Sequence, residues 1–141
     1  MRLLSIVATL LLLPAIAAAS ATPRRYSGRT SEDTAITLRL SPDARRVAVL
    51  EIHYRVTCND GVARPTTFTD VLNIAIRHRR FAAHGVYIGS RDHSRNHYTL
   101  SGAISRRTVD GGFRLTASGT AGKRTVRCDS GPVLWAARPA R

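Results

Sequence analysis

The densest basic run in the sequence is Arg77-His78-Arg79-Arg80, and its side chains are suited to binding anions. Arginine carries a planar guanidinium that stays charged and contacts phosphate or carboxylate groups through two hydrogen bonds at once. The chain of 141 residues has 22 basic and 9 acidic residues and a formal net charge of +13, which favours contact with polyanions. We therefore predict that Arg77, Arg79 and Arg80 bind acidic cell-envelope polymers or other anionic surfaces.

The arginine content also has an explanation that involves no binding. Lys123 is the one lysine of the chain and alanine is frequent, as GC-rich codon usage produces on its own. The composition therefore leaves open whether the arginine excess is functional. Aromatic residues make up 6% of the chain and only Phe81 adjoins the basic run, so the stacking platform of a single-strand binder is missing. We predict no specific recognition of nucleic acid.

Histidines and an aspartate between residues 84 and 97 are the other side chains that could do chemistry. His93 and His97 have the i, i+4 spacing of a metal site on a helix, but the polar segment around them is typical of a loop entering a strand. No nucleophile motif of the G-x-S-x-G type is present. We expect a non-catalytic protein without a metal or cofactor. The alternative is a small secreted hydrolase or metal-dependent enzyme that uses the His84–His97 region, with His84 and Asp92 completing the site.

Cys58 and Cys128 open two similar phrases, C-N-D-G and C-D-S-G, each between two strand-like runs. The repeat predicts two β-hairpins with a cysteine at the start of each turn. In an oxidising compartment an even pair of cysteines indicates a disulfide. Closing a loop of about 70 residues would contribute about 4 kcal/mol in the chain-entropy model. Two free thiols or an intermolecular bridge are the alternatives, whereas no histidine has the spacing for a shared zinc site.

The N-terminal segment predicts the compartment. A short positive start is followed by the apolar stretch Leu3–Ala19 and by small residues that satisfy the A-x-A cleavage pattern as far as Ala21. We therefore predict residues 1–21 as a secretory signal peptide, and the mature protein as extracellular or associated with the cell envelope. An uncleaved membrane anchor is the alternative, which Pro14 and the alanine-rich end disfavour.

The rest of the chain alternates apolar and polar residues, as strands with one buried face do. Such alternation predicts these inward positions: Ile36, Leu38, Leu40, Leu50, Ile52, Tyr54, Val56, Cys58, Tyr98, Leu100, Gly102, Ile104, Phe113, Leu115, Ala117, Val133, Trp135 and Ala137. Turn sequences separate the runs, and Asp110-Gly111 favours a tight hairpin. We predict that residues 22–141 form a single all-β domain. It should be an antiparallel β-sandwich or small barrel of about seven to nine short strands with one disulfide.

Several short motifs also resemble those of a class of small exported β-rich proteins of high-GC bacteria. The motifs are Tyr26-Ser27-Gly28-Arg29-Thr30, Cys58-x-Asp60-Gly61, Arg80-Phe81-Ala82, Cys128-Asp129-Ser130-Gly131 and Trp135-x-Ala137. The resemblance spans nearly all of the mature chain and implies a β-rich exported protein. It implies no activity, because the shared motifs consist of turn and core residues. The chain departs from the class between Ala83 and Asn96, where histidines and charged residues replace a Gly/Ser-rich hairpin.

Overall fold

The computed structural model describes residues 24–70, 72–90 and 93–140. The predicted signal peptide, residues 1–21, lies outside these ranges. The described residues form ten strands, and the predicted all-β antiparallel fold class is confirmed with more strands than expected. The strands are β1 (Arg25–Thr30), β2 (Ala35–Leu40), β3 (Arg46–Cys58), β4 (Ala63–Asp70), β5 (Ile74–Ala75), β6 (Arg80–Ile88), β7 (Arg95–Ile104), β8 (Val109–Ala121), β9 (Arg124–Asp129) and β10 (Val133–Pro139).

All of these strands belong to one continuous sheet. Its path is β10-β1-β2-β3-β9-β8-β7-β6, with β4 and β5 on the other edge of β3. Strand β10 also pairs with β8, so the pairings β10-β1-β2-β3-β9-β8 close into a ring. The sheet therefore curves back on itself around one core, instead of splitting into two separate sheets.

The core follows the predicted alternation along each strand. Ile36, Leu38 and Leu40 of β2 are each 1% exposed, while the residues between them face solvent. The same parity holds along β8, β10 and residues 50–58 of β3, because successive side chains of a strand point to opposite faces. A register shift against β2 interrupts it near the start of β3, where Val47 is also buried. One cluster of buried residues collects them: Tyr26, Ile36, Leu38, Leu40, Val47, Leu50, Ile52, Tyr54, Val56, Cys58, Phe68, Phe81, Leu100, Val109, Phe113, Leu115, Val133, Trp135 and Ala137.

The disulfide between Cys58 and Cys128 is confirmed, but one of the two hairpins predicted around it is wrong. The first C-x-x-G forms the turn between β3 and β4, which pair along their length. The second leads from β9 to β10, and these strands do not pair with each other. Both lie on the same edge of β8, because Ser130 exchanges hydrogen bonds with the backbone of Leu115 and keeps the chain running along that strand.

The hairpin predicted at Asp110-Gly111 is also wrong, since both residues lie inside β8. The turn between β7 and β8 comes earlier in the chain. There the Ser105 hydroxyl accepts a hydrogen bond from the backbone N–H of Thr108, which stabilises the turn without a glycine. Gly111 has a packing role instead. A Cβ on it would lie 2.0 Å from the carbonyl oxygen of Ser101 and 2.7 Å from the Trp135 ring.

Candidate anion-binding surface

The antiparallel order of the strands brings three turns and both ends of the described chain to one end of the sheet. The turns are β2–β3, β5–β6 and β7–β8, and the chain ends are the start of β1 and the end of β10. Backbone hydrogen bonds of 2.8–2.9 Å join these segments, donated by Leu40 to Arg24, by Ile76 to Arg45, by Ile104 to Arg79 and by Ala140 to Arg25. We call this region the arginine end, because it carries Arg24, Arg25, Arg45, Arg46, Arg77, Arg79, Arg80, Arg106, Arg107 and Arg138.

The predicted anion-binding residues lie together in the turn between β5 and β6. Arg77 and Arg80 exchange two backbone hydrogen bonds of 2.9 and 2.8 Å, and the residues between them have positive φ, 48° at His78 and 61° at Arg79. This is the conformation of a type I′ hairpin turn, which normally favours asparagine and glycine. All four side chains are exposed, so the turn presents its charges to solvent.

The same turn divides its arginines between two cavities. Arg79 lines a cavity of about 350 Å³ with Arg24, from the start of the described chain, and Arg106, from the β7–β8 turn. Among the described residues, no acidic side chain lines this cavity. Its floor is apolar and includes Leu40 and Ile104. Three guanidinium groups around one concave surface make this cavity a candidate site for an anion.

Arg77 and Arg80 line the neighbouring cavity, which measures about 660 Å³. Its lining also includes Ser101 and Asp110. Arg80 pairs with Ala103, which in turn pairs with Asp110, so the cation and the acid lie in one row with a strand between them. The charge of this second cavity is therefore partly balanced, whereas that of the first is not.

The acidic residues of the described segments are mostly engaged away from the arginine end. None of the ion pairs in these segments involves an arginine of that end, since they join Arg29 to Asp33, His53 to Glu51, Arg64 to Asp60 and Arg114 to Asp129. Two acids do lie there: Asp110 shares a row with Arg80, and Asp43 accepts hydrogen bonds from the Ser41 hydroxyl and the Arg45 backbone N–H. These bonds, that of Ser41 first, hold the pKa of Asp43 below its ordinary value and keep it ionised as part of its turn.

Sequence reasoning named Arg77, Arg79 and Arg80 as anion-binding residues but did not place Arg24 and Arg106 on the same surface. The two are 82 positions apart and neither lies in a dense run. Each lies next to the end of a strand or in a turn, and this position is the sequence feature that could have assigned it to the surface. The assignment also needs the strand order, because the strand order determines which turns lie at the same end of the sheet.

Two of the three histidines of the alternative enzyme site, His84 and His97, lie on strands where loop histidines were expected. Residues 80–88 and 95–104 form an uninterrupted antiparallel ladder, in which His84 pairs with Thr99 and His97 pairs with Val86. His84 and His97 are therefore diagonal neighbours on the outer face, while His93 lies in the connecting loop. Asp92 is outside the described residues. No group of three or more potential metal ligands occurs in the described segments, and the enzyme alternative stays a prediction.

Comparisons of the chain with protein-family models, with curated proteins and with solved structures find no match. The resemblance to small exported proteins of high-GC bacteria therefore stays a prediction. In the segments that the structure describes, no helix has the length and apolar character needed to span a membrane.

Proposed function

We propose that the protein is an exported, non-catalytic module that binds acidic polymers of the cell envelope through its arginine end. The disulfide is compatible with export, because such bonds persist in oxidising compartments. The signal-peptide pattern of residues 1–21 supports the same location.

The observation that carries the proposal is the cavity shared by Arg24, Arg79 and Arg106, with no acid among the described residues of its lining. Codon bias raises the number of arginines but provides no reason to gather these three around one cavity. Like charges held close together repel one another and lower the stability of the folded state. A bound polyanion removes that repulsion, which is the physical basis for binding here.

A polymer fits the arginine end better than a single small anion does. The arginines are spread over three turns and two chain ends, so consecutive acidic groups of one ligand can contact several of them. Each contact is exposed and weak on its own, because salt screens charges at a surface. Binding should therefore be strong at low salt, tolerant of polymer identity and lost as salt rises.

The test measures binding to long-chain polyphosphate and to poly-glutamate as a function of sodium chloride concentration. In the triple variant Arg24→Gln, Arg79→Gln, Arg106→Gln, we expect weaker binding to both polymers. The slope of log affinity against log salt should become shallower by about one for each arginine that engages the polymer.

The matched control removes the same charge from other parts of the surface, through Arg55→Gln, Lys123→Gln and Arg124→Gln. These residues are exposed and lie outside the arginine end. If the control weakens binding as much as the test variant does, only the net charge matters and the assignment to the arginine end is wrong. Absence of binding by the unmodified protein at low salt would also reject the proposal.

A further inference from the structure

A second concave surface lies on the outer wall of the sheet, at the Cys58–Cys128 disulfide. It is a groove of about 460 Å³ over β7, β8 and β9. The strand register places Arg95, Ser118 and Arg127 in one row across these three strands. All three are exposed and share the outer face, so two guanidinium groups flank one hydroxyl.

The spacing of this row suits an anionic group of a ligand held between the two arginines. Neighbouring strands lie about 4.8 Å apart, so the backbones of Arg95 and Arg127 are roughly 10 Å apart with Ser118 midway. Side chains as long as arginine can close on a ligand over Ser118 from both sides. Within the described segments, neither arginine belongs to an ion pair.

The next row contains an acid whose charge is already compensated. It consists of His97, Thr116 and Asp129, paired in register across the same strands. Arg114 donates two hydrogen bonds to Asp129, from Nε to Oδ1 at 3.1 Å and from Nη2 to Oδ2 at 2.6 Å. This contact lowers the pKa of Asp129 and raises that of Arg114. The groove therefore keeps an excess of positive charge, with hydroxyl donors at Thr116 and Ser118.

Exposed apolar side chains border this cationic row on strand β6. Ile88 pairs directly with Arg95 and Val86 pairs directly with His97. Ile88 is 59% exposed and Val86 is 52% exposed, among the highest values for large apolar residues in the described segments. Their position in the alternation puts them on the outer face with the arginines. The wall thus has an apolar strip next to an anion-binding row.

We propose that this wall binds an amphiphilic phosphate monoester. Its phosphate lies over Ser118 between Arg95 and Arg127, and its alkyl chain crosses the aliphatic stem of Arg95 to reach Ile88 and Val86. Phosphate suits the site because it accepts two-pronged hydrogen bonds from arginine and single bonds from hydroxyl groups. The site is separate from the arginine end and does not depend on the function proposed for it.

The test titrates the intact protein with hexyl phosphate and, separately, with inorganic phosphate at low salt, followed by amide shifts in ¹H–¹⁵N spectra. We expect shifts at Ser118 and Arg127 with both ligands, and about tenfold tighter binding of hexyl phosphate because part of its chain is buried. Arg95→Gln and Arg127→Gln should each weaken both ligands by about tenfold.

Substitutions in the apolar strip, Val86 and Ile88, measure the contribution of the alkyl chain separately from that of the phosphate. The double variant Val86→Thr, Ile88→Thr keeps residues that favour strands and should reduce hexyl phosphate binding to the level of inorganic phosphate. The control Arg55→Gln removes an exposed charge away from both the groove and the arginine end, and it should leave both titrations at Ser118 and Arg127 unchanged. Equal affinity for the two ligands would overturn the amphiphile assignment. Absence of shifts at Ser118 and Arg127, or their loss in Arg55→Gln, would overturn the site itself.

Discussion

Cys58 of β3 and Cys128 of β9 lie directly opposite each other in the sheet, with their Cα atoms 3.9 Å apart. They are one of two residue pairs that join these strands, the other being Thr57 and Asp129. The disulfide therefore stabilises the shortest strand pairing in the ring of strands. It also lies beside the groove that contains Arg127.

Removal of the disulfide should lower the stability of the whole domain. The double variant Cys58→Ala, Cys128→Ala should lose about 4 kcal/mol of unfolding free energy, because a loop of about 70 residues is released in the unfolded chain. Urea unfolding monitored by circular dichroism measures the change. The unmodified protein under reducing conditions is the control and should lose a similar amount. No change in the unfolding midpoint in either case would contradict this account.

Gly111 should tolerate no side chain, because β8 packs closely there against Ser101 and the Trp135 ring. Gly111→Ala should cost about 1–3 kcal/mol, the range for forcing extra volume into a packed core. Gly112→Ala is the matched control, since a Cβ there would meet its nearest neighbours only at 3.8 and 3.9 Å. It should change the unfolding free energy by less than about 0.5 kcal/mol. Equal effects of the two changes would refute the packing role of Gly111.

The turn between β5 and β6 should become more stable when glycine replaces a residue that has a positive φ. His78 has a φ of 48°, in the left-handed region that side chains with a Cβ disfavour. His78→Gly should raise the unfolding free energy by about 0.5–1 kcal/mol. Arg107→Gly is the control in another exposed turn, where φ is not positive. Arg107→Gly should lower the unfolding free energy by a similar amount. Thermal unfolding of both variants shows whether one is stabilised and the other destabilised.

The ion pair between Asp60 and Arg64 should make stability fall in acid. Hydrogen bonds from Arg64 first, then from the Val62 backbone, lower the pKa of Asp60 to about 2 from an ordinary 3.8. Because the folded state lowers this pKa, the contribution is present above pH 3.8 and is lost as pH falls towards about 2. Asp60→Asn should therefore flatten the pH dependence of the unfolding free energy in that window.

Arg64→Gln is the partner control for the same effect. It removes the main hydrogen-bond donor to Asp60 and should flatten the same window. Urea unfolding at pH values from 2 to 5 tests both variants. If Arg64→Gln keeps the slope of the unmodified protein, the shift does not come from this pair.

Alternation in the sequence predicted the core strands well, but it did not predict the elements that lack it. β2, β3, β8 and β10 have clear inward and outward sets, and all of them occur as expected. β6 was not predicted, because small residues such as Ala83 and Gly85 occupy two of its inward positions. There the aromatic ring of Tyr98, on the next strand, fills the space that a larger side chain would take.

The candidate site, too, could be predicted from the sequence only in part. A dense run such as Arg77 to Arg80 can be recognised in the sequence, because its members are consecutive. Arg24 and Arg106 cannot be assigned to it in that way, since they meet Arg79 only through the order of the strands. Likewise, Arg95 and Arg127 face the same hydroxyl only because of the register between β7, β8 and β9.

By itself, the amino-acid sequence determined the antiparallel all-β class, the parity of the buried side chains and the Cys58–Cys128 disulfide. These depend on local alternation and on a pair of cysteines with no other partner in the chain. The tertiary structure alone decided that β9 and β10 share one edge of β8, and which arginines gather at one end of the sheet. Strand order and register are set by packing between distant segments, and the local pattern of each segment is compatible with several such arrangements.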